Sequence, residues 1–97
     1  MTSWLKSSNL SSENALKRFQ ATLDEHTTWP SRYLFKFIVP QAKLAALMVI
    51  FEGERYVLRD SEKGNYVGFT VEKDVASAQE VADLYRRAAK IQGIIAL

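Results

Sequence analysis

The sequence predicts an α+β domain in which one helix precedes a strand–helix–strand–strand–helix–strand order. Three observations carry this reading. Tyr33 to Val39 alternates side chains with period two, as a half-buried strand does. Residues 77–91 repeat apolar side chains at three- and four-residue steps behind a capping sequence, as an amphipathic helix does. Between them, Lys63-Gly64 separates two short strand-like stretches, which reads as a hairpin.

Residues 1–12 are rich in serine and lack periodicity; they are expected to form a tail in which Trp4, Leu5 and Leu10 are the apolar exceptions. Ser11 or Ser12 can cap the next segment by accepting a bond from an orphan backbone N–H. From Asn14 to Glu25, Leu16, Phe19 and Leu23 form one apolar stripe, with Lys17, Arg18 and Asp24 on the wet side. Trp29-Pro30 ends this helix, because the residue before proline is pushed out of helical geometry. Trp29 is expected to anchor the linker to the core.

In the strand that follows, Tyr33, Phe35, Phe37 and Val39 share one face, and Leu34, Lys36 and Ile38 share the other. Pro40 stops it by removing a ladder donor. Residues 41–51 are so continuously apolar that period alone does not separate helix from buried strand. Three alanines and the preceding Pro-Gln favour helix, with Leu44, Leu47, Met48 and Phe51 inward and Gly53 as the stop. The hairpin comprises Arg55 to Arg59 and Asn65 to Lys73, with Gly64 free to take positive φ. The last helix opens on Ser77-Ala78-Gln79-Glu80, a capping box, and buries Val81, Leu84, Tyr85, Ala88 and Ile91. Asp83 and Arg87 stand one turn apart, and Arg86 and Lys90 lie near the carboxyl end, where the helix dipole favours cations. Gly93 ends the helix, and Ile94 to Leu97 closes the sheet.

A ferredoxin-like βαββαβ sandwich, four antiparallel strands with two helices on one face, is the standard solution for this order. The helices would cover Phe35, Phe37, Val67 and Phe69. The other face would show Leu34, Lys36, Ile38, Tyr66 and Thr70.

The 97 residues suffice for one domain, and 47% hydrophobic, 11% aromatic and 25% charged residues are ordinary globular proportions. We divide them into a tail and helix, 1–28, and the sandwich, 29–97. Cysteine is absent, which excludes disulfides, thiolate catalysis and cysteine-ligated zinc. Thirteen basic residues against eleven acidic ones, well mixed, are not the dense basic face of a phosphate-backbone binder. Neither a signal-peptide pattern nor an apolar run of membrane-spanning length stands in the sequence, so a cytoplasmic location without membrane contact is expected.

The stretch Trp29-Pro30-Ser31-Arg32-Tyr33-Leu34-Phe35-Lys36-Phe37-Ile38 resembles the YbeD-like family of small bacterial proteins. The similarity continues through Ser61-Glu62-Lys63-Gly64-Asn65-Tyr66, and through Leu84-Tyr85-Arg86 and Ile91-Gln92-Gly93-Ile94. It covers about residues 29–97 and makes the first helix an addition. The matching motif residues are Pro30, Tyr33, Lys36, Ser61, Gly64 and Tyr66. The resemblance implies a ferredoxin-like fold close to the regulatory ACT domains of amino-acid enzymes. It implies no activity, because the family is uncharacterised. Ligand-binding ACT domains usually place an acidic residue and a glycine after the first strand. Here that loop is Val39-Pro40-Gln41-Ala42-Lys43, with neither, so amino-acid binding does not carry over.

Lys36 is a charge inside an otherwise apolar strand. It reads either as a solvent-facing lysine guarding the sheet or as an anion contact with Tyr66 beside it. Leu34 and Ile38 flank it, and an apolar patch of this kind asks for a cover: the first helix, a second subunit or a partner. Lys63 to Phe69 loosely resembles the aromatic strand of an RNA-recognition motif, but Tyr66 and Phe69 fall on opposite faces and leave no stacking platform. His26 is the only histidine, and the serines have no base at a telling spacing, so no catalytic or metal site and no cofactor is expected. The leading expectation is a non-catalytic regulatory or adaptor domain that forms a homodimer and binds a partner protein or small metabolite. The alternative is a weak single-stranded nucleic-acid binder using Lys36, Arg59, Lys63 and Tyr66.

Overall fold

The computed structural model describes residues 13–60 and 64–97. Helix α1 (Glu13–His26) leads into strand β1 (Ser31–Pro40). A single 3-10 turn (Gln41–Lys43) and helix α2 (Leu44–Ile50) follow, then strands β2 (Tyr56–Asp60) and β3 (Tyr66–Val75). Helix α3 (Ala78–Ala89) and strand β4 (Ile95–Ala96) complete the order. The strands form one antiparallel sheet in the order β2-β3-β1-β4, the ferredoxin-like arrangement with an added N-terminal helix. The tail 1–12, its Ser11 and Ser12 caps, and Ser61 and Lys63 lie outside the described residues.

β1 and β3 pair over their whole length, from Ser31 opposite Val75 to Pro40 opposite Tyr66. That ladder extends beyond the apolar alternation at both ends. Arg32, opposite Asp74, reaches Asp74 at 3.0 Å and Glu72 at 3.4 Å, so a cross-strand ion cluster continues the pairing where no hydrophobic period marks it. The helix expected over 41–51 is shorter, because its first three residues wind as 3-10 and Phe51 already leaves helical geometry. Its inner side holds: Leu47 and Phe51 are buried and Leu44 and Met48 pack against the core.

The core lies between one sheet face and the helices. Phe35, Phe37, Val39, Val67, Phe69 and Val71 point into it from the sheet. Tyr85 of α3 stands at its centre, with ring centroids 5.3 Å from Phe35, 5.7 Å from Phe37 and 5.7 Å from Phe19. Leu16 and Phe19 of α1 belong to this same cluster, so the first helix completes the core. Two salt bridges hold that end: Arg86 donates to both oxygens of Glu13, and to Asp83 at 2.6 Å. Arg86, and not Arg87, is therefore the partner of Asp83. Trp29 donates from Nε1 to Asp24 at 3.2 Å and fixes the chain as it leaves α1.

Ser77 caps α3 by accepting from the Glu80 N–H, as the capping box predicts. Glu80 reaches back one residue further than expected, to the Ala76 N–H at 2.8 Å. Lys73 joins β3 to its surroundings through Glu54 at 3.1 Å and Glu80 at 3.6 Å; the hydrogen bond to Glu54 raises its ammonium pKa. Gly64, in the β2–β3 turn, adopts φ +72°, and Gly93, between α3 and β4, φ +83°.

Candidate functional site

The face of the sheet away from the helices is the candidate site. Register fixes which residues meet there. Across the four strands one row reads Ile95, Ile38, Gly68, Arg59. The next contains Lys36, Thr70 and Val57, and Leu97 joins it by donating its N–H to the Lys36 carbonyl at 2.9 Å. Tyr66 stands opposite Pro40 at the end of the same face.

In the middle of these rows lies an open hollow of about 520 Å³, walled by Lys36, Ile38, Val57, Arg59, Tyr66, Thr70 and Leu97 and floored by Gly68. Three of the sequence-predicted residues, Lys36, Arg59 and Tyr66, thus come together around one cavity. Leu34 lies on the same face outside its wall, while Ile38 forms part of it. Of the motif residues, Tyr33 turns to the helix side. Its hydroxyl meets that of Tyr85 at 3.2 Å, and burial raises the pKa of both phenols. Tyr33 and Gly64 are structural by position. Pro30 stands exposed before β1.

Gly68 is the residue that sequence reading missed. It sits within a central strand, where glycine weakens pairing and offers no side chain to pack. The fold does not require it: its φ is not positive, and an added Cβ would meet only the Arg59 carbonyl oxygen at 3.5 Å and the Arg59 Cβ at 3.8 Å, ordinary contact distances. The signal available in the sequence was an isolated glycine inside an alternating strand, a mark of close approach by something else.

Among the described residues the hollow is lined by two cations, Lys36 and Arg59, and by the acid Asp60. Lys36 and Arg59 form no ion pair among the described residues, whereas Arg32, Lys73 and Arg86 are each held by carboxylates. Glu72, on the same face, is taken by Arg32. Apolar exposure around the cations is large: Val57 is 67% exposed, Leu97 50%, Leu34 47%, Tyr66 45% and Ile95 38%. Chemically, the face can hold an occupant with an apolar body and negative charge.

A second hollow, about 410 Å³, opens among Lys73, Ser77, Glu80, Asp83 and Arg87. Its Lys73 and Glu80 are paired to each other. Among the described residues, no three His, Cys, Asp or Glu side chains gather as a metal site would need, and no helix is long and apolar enough to cross a membrane. His26 is exposed, with its Nε2 3.9 Å from the Glu25 carboxylate.

No curated protein and no solved structure matches the chain. Residues 24–97 match a family described as Protein of unknown function (DUF493). That stretch contains the whole sheet, α2, α3 and the hollow, and leaves nearly all of α1 outside. The chain belongs to the DUF493 family, whose function is unknown.

Proposed function

We propose that this chain is a non-catalytic binding domain, regulatory or adaptor in kind, that holds a partner protein or small metabolite on the open face of its sheet. The observation that carries the proposal is the Gly68 hollow, apolar in its walls and flanked by two cations that form no ion pair among the described residues. Its volume falls within the range of ligand pockets.

The test is binding of 8-anilinonaphthalene-1-sulfonate, an apolar anion that fluoresces when removed from water. The native protein should bind it. Lys36→Met should weaken binding while keeping the apolar surface, and Gly68→Leu should abolish it by filling the hollow. An absence of binding, or binding indifferent to Gly68→Leu, would sink the proposal. A thermal-shift screen of metabolites extends the test, since a ligand at ten times its dissociation constant adds about 1.4 kcal/mol, roughly 5–10 °C in a domain this small.

Self-association is a second part of the proposal. A two-fold dimer packed through the open face would bring Lys36 and Arg59 of both copies together among apolar side chains, and like charges oppose it. Helix α2 is the better surface for a dimer, because Val49 on its outer side is 65% exposed and no cation stands within it. Light scattering at high concentration checks this: a dimer broken by Val49→Glu supports it, and a monomer throughout refutes it.

The nucleic-acid reading draws on Lys36, Arg59, Lys63 and Tyr66, and salt separates the two. Three phosphate contacts on a single strand would give a slope of log affinity against log salt of about −2.1. Binding carried by apolar contact would change far less.

A further inference from the structure

We infer that the occupant of the open sheet face is an amphipathic helix of a partner protein, with two acidic residues about two turns apart and one large apolar side chain between them. This rests on the reading of the face as a binding surface and names the partner's chemistry.

Size is the first argument. Apolar side chains run across the sheet from Ile95 and Leu97 through Leu34 and Ile38 to Val57. Three inter-strand steps make this about 14 Å wide. A helix laid across the strands spans that width in about ten residues. A small molecule seated in the hollow would leave Leu34 and Ile95 in water, because neither lines it. An extended peptide laid on the face would press its own unpaired backbone N–H and C=O groups against apolar side chains. A helix satisfies those groups internally.

Shape is the second. The missing side chain at Gly68 leaves a socket beneath Ile38, Arg59, Tyr66 and Thr70, which one large apolar side chain can enter. Charge is the third. Lys36 on β1 and Arg59 on β2 are two strands and one pleat repeat apart, a diagonal of about 12 Å that crosses β3 beside Gly68. Acidic residues at i and i+7 on one helix face are about 10.5 Å apart, with i+3 or i+4 between them over the socket. The chain's own residues 1–12 contain one charged side chain, Lys6, which is of the wrong sign for this site.

The experiment is a selection with the full chain, immobilised, against a random library of displayed helical peptides of about five turns. Enriched peptides should share two acids seven residues apart with Leu, Phe or Trp between them. Synthetic copies, followed by fluorescence anisotropy, should lose at least tenfold in affinity when the two acids become amides. They should lose as much against Lys36→Met/Arg59→Met, and against Gly68→Leu, whose melting temperature is checked so that misfolding is not mistaken for blockage. No enrichment, enrichment without the acid pair, or binding indifferent to these variants overturns the inference. If the anilinonaphthalene sulfonate binds at Gly68 while no acidic helix is selected, the inference fails and the binding-domain reading stands. If neither binds, both fail. A synthetic peptide of residues 1–12 that displaced the fluorophore would give the face to the chain's own segment, and a dimer broken by Gly68→Leu would give it to a second copy. Either result overturns the inference.

Discussion

Replacing Phe19 by alanine should destabilise the whole domain, although α1 lies almost entirely outside the residues that match the family. Phe19 is buried, and its ring meets Tyr85 edge-on, at 5.7 Å and 78°. Through Tyr85 it touches the rings of Tyr33, Phe35 and Phe37, so the contact leads directly to the centre of the core. Truncating a buried phenylalanine costs about 3–5 kcal/mol from lost transfer energy and the cavity left behind. A helix of 14 residues is marginal by itself in water, so α1 draws its stability from this seat. Two outcomes differ sharply. If α1 and the sandwich unfold as one unit, the full cost appears globally, and at about 4–8 °C per kcal/mol the midpoint falls by at least about 12 °C. If α1 can lift off alone, the midpoint stays nearly fixed and only α1 loses hydrogen-exchange protection. The contiguous aromatic cluster argues for the first. Thermal denaturation followed by circular dichroism, with exchange measured by mass spectrometry, separates them. An unchanged midpoint with fast exchange confined to residues 13–26 would refute the reasoning.

Three further outcomes are expected. The Arg86 guanidinium beside Glu13 holds that carboxyl below the ordinary range, so the pair's stabilisation is full above that range and lost as pH falls through the lowered folded value. Melts from neutral pH to about pH 2 should show Glu13→Gln less stable than the parent at neutral pH, with the gap closing in acid; a constant gap would contradict the ion-pair account. Burial raises the Tyr85 phenol pKa, so stability should fall as pH rises past about 10, where the unfolded phenol ionises and the folded one does not. The slope is up to about 1.4 kcal/mol per pH unit per phenol, and Tyr85→Phe should remove one such share in urea titrations between about pH 9 and 11. Finally, Gly93→Ala should cost more than Gly64→Ala. Both leave a residue at positive φ, about 1–2 kcal/mol, but only at Gly93 does the new Cβ meet another atom, Pro40 Cγ at 2.8 Å. Equal losses in denaturant titrations would show that Pro40 gives way freely.

Much of this molecule was legible as periodicity. Alternation sent Phe35, Phe37, Val67 and Phe69 inward and Leu34, Lys36 and Tyr66 outward, and the structure keeps each on the expected face. The stripe of α3 was equally plain, because side chains three and four apart share a helix face whatever surrounds it. Ladder ends were not, since Arg32 with Asp74 and Glu72 stabilises pairing by charge between residues about 40 apart in sequence. Arg86 was legible as a cation near a helix end, but its partner Glu13 is 73 residues away.

The candidate site divides in the same way. Lys36 announced itself as a charge in an apolar strand, and Tyr66 as an outward aromatic. That Arg59 stands across Gly68 from Ile38 depends on the register of β2 against β3 and of β3 against β1. By itself the sequence determined the elements, their order and the two faces of the sheet, because those follow from local periods of two and 3.6. Only the tertiary structure decided that α1 seats on Tyr85, that Arg86 closes on Glu13, and that two cations flank a side-chain-free floor. Each of those depends on which distant residues a register or a packed helix brings together, and no local period encodes that distance.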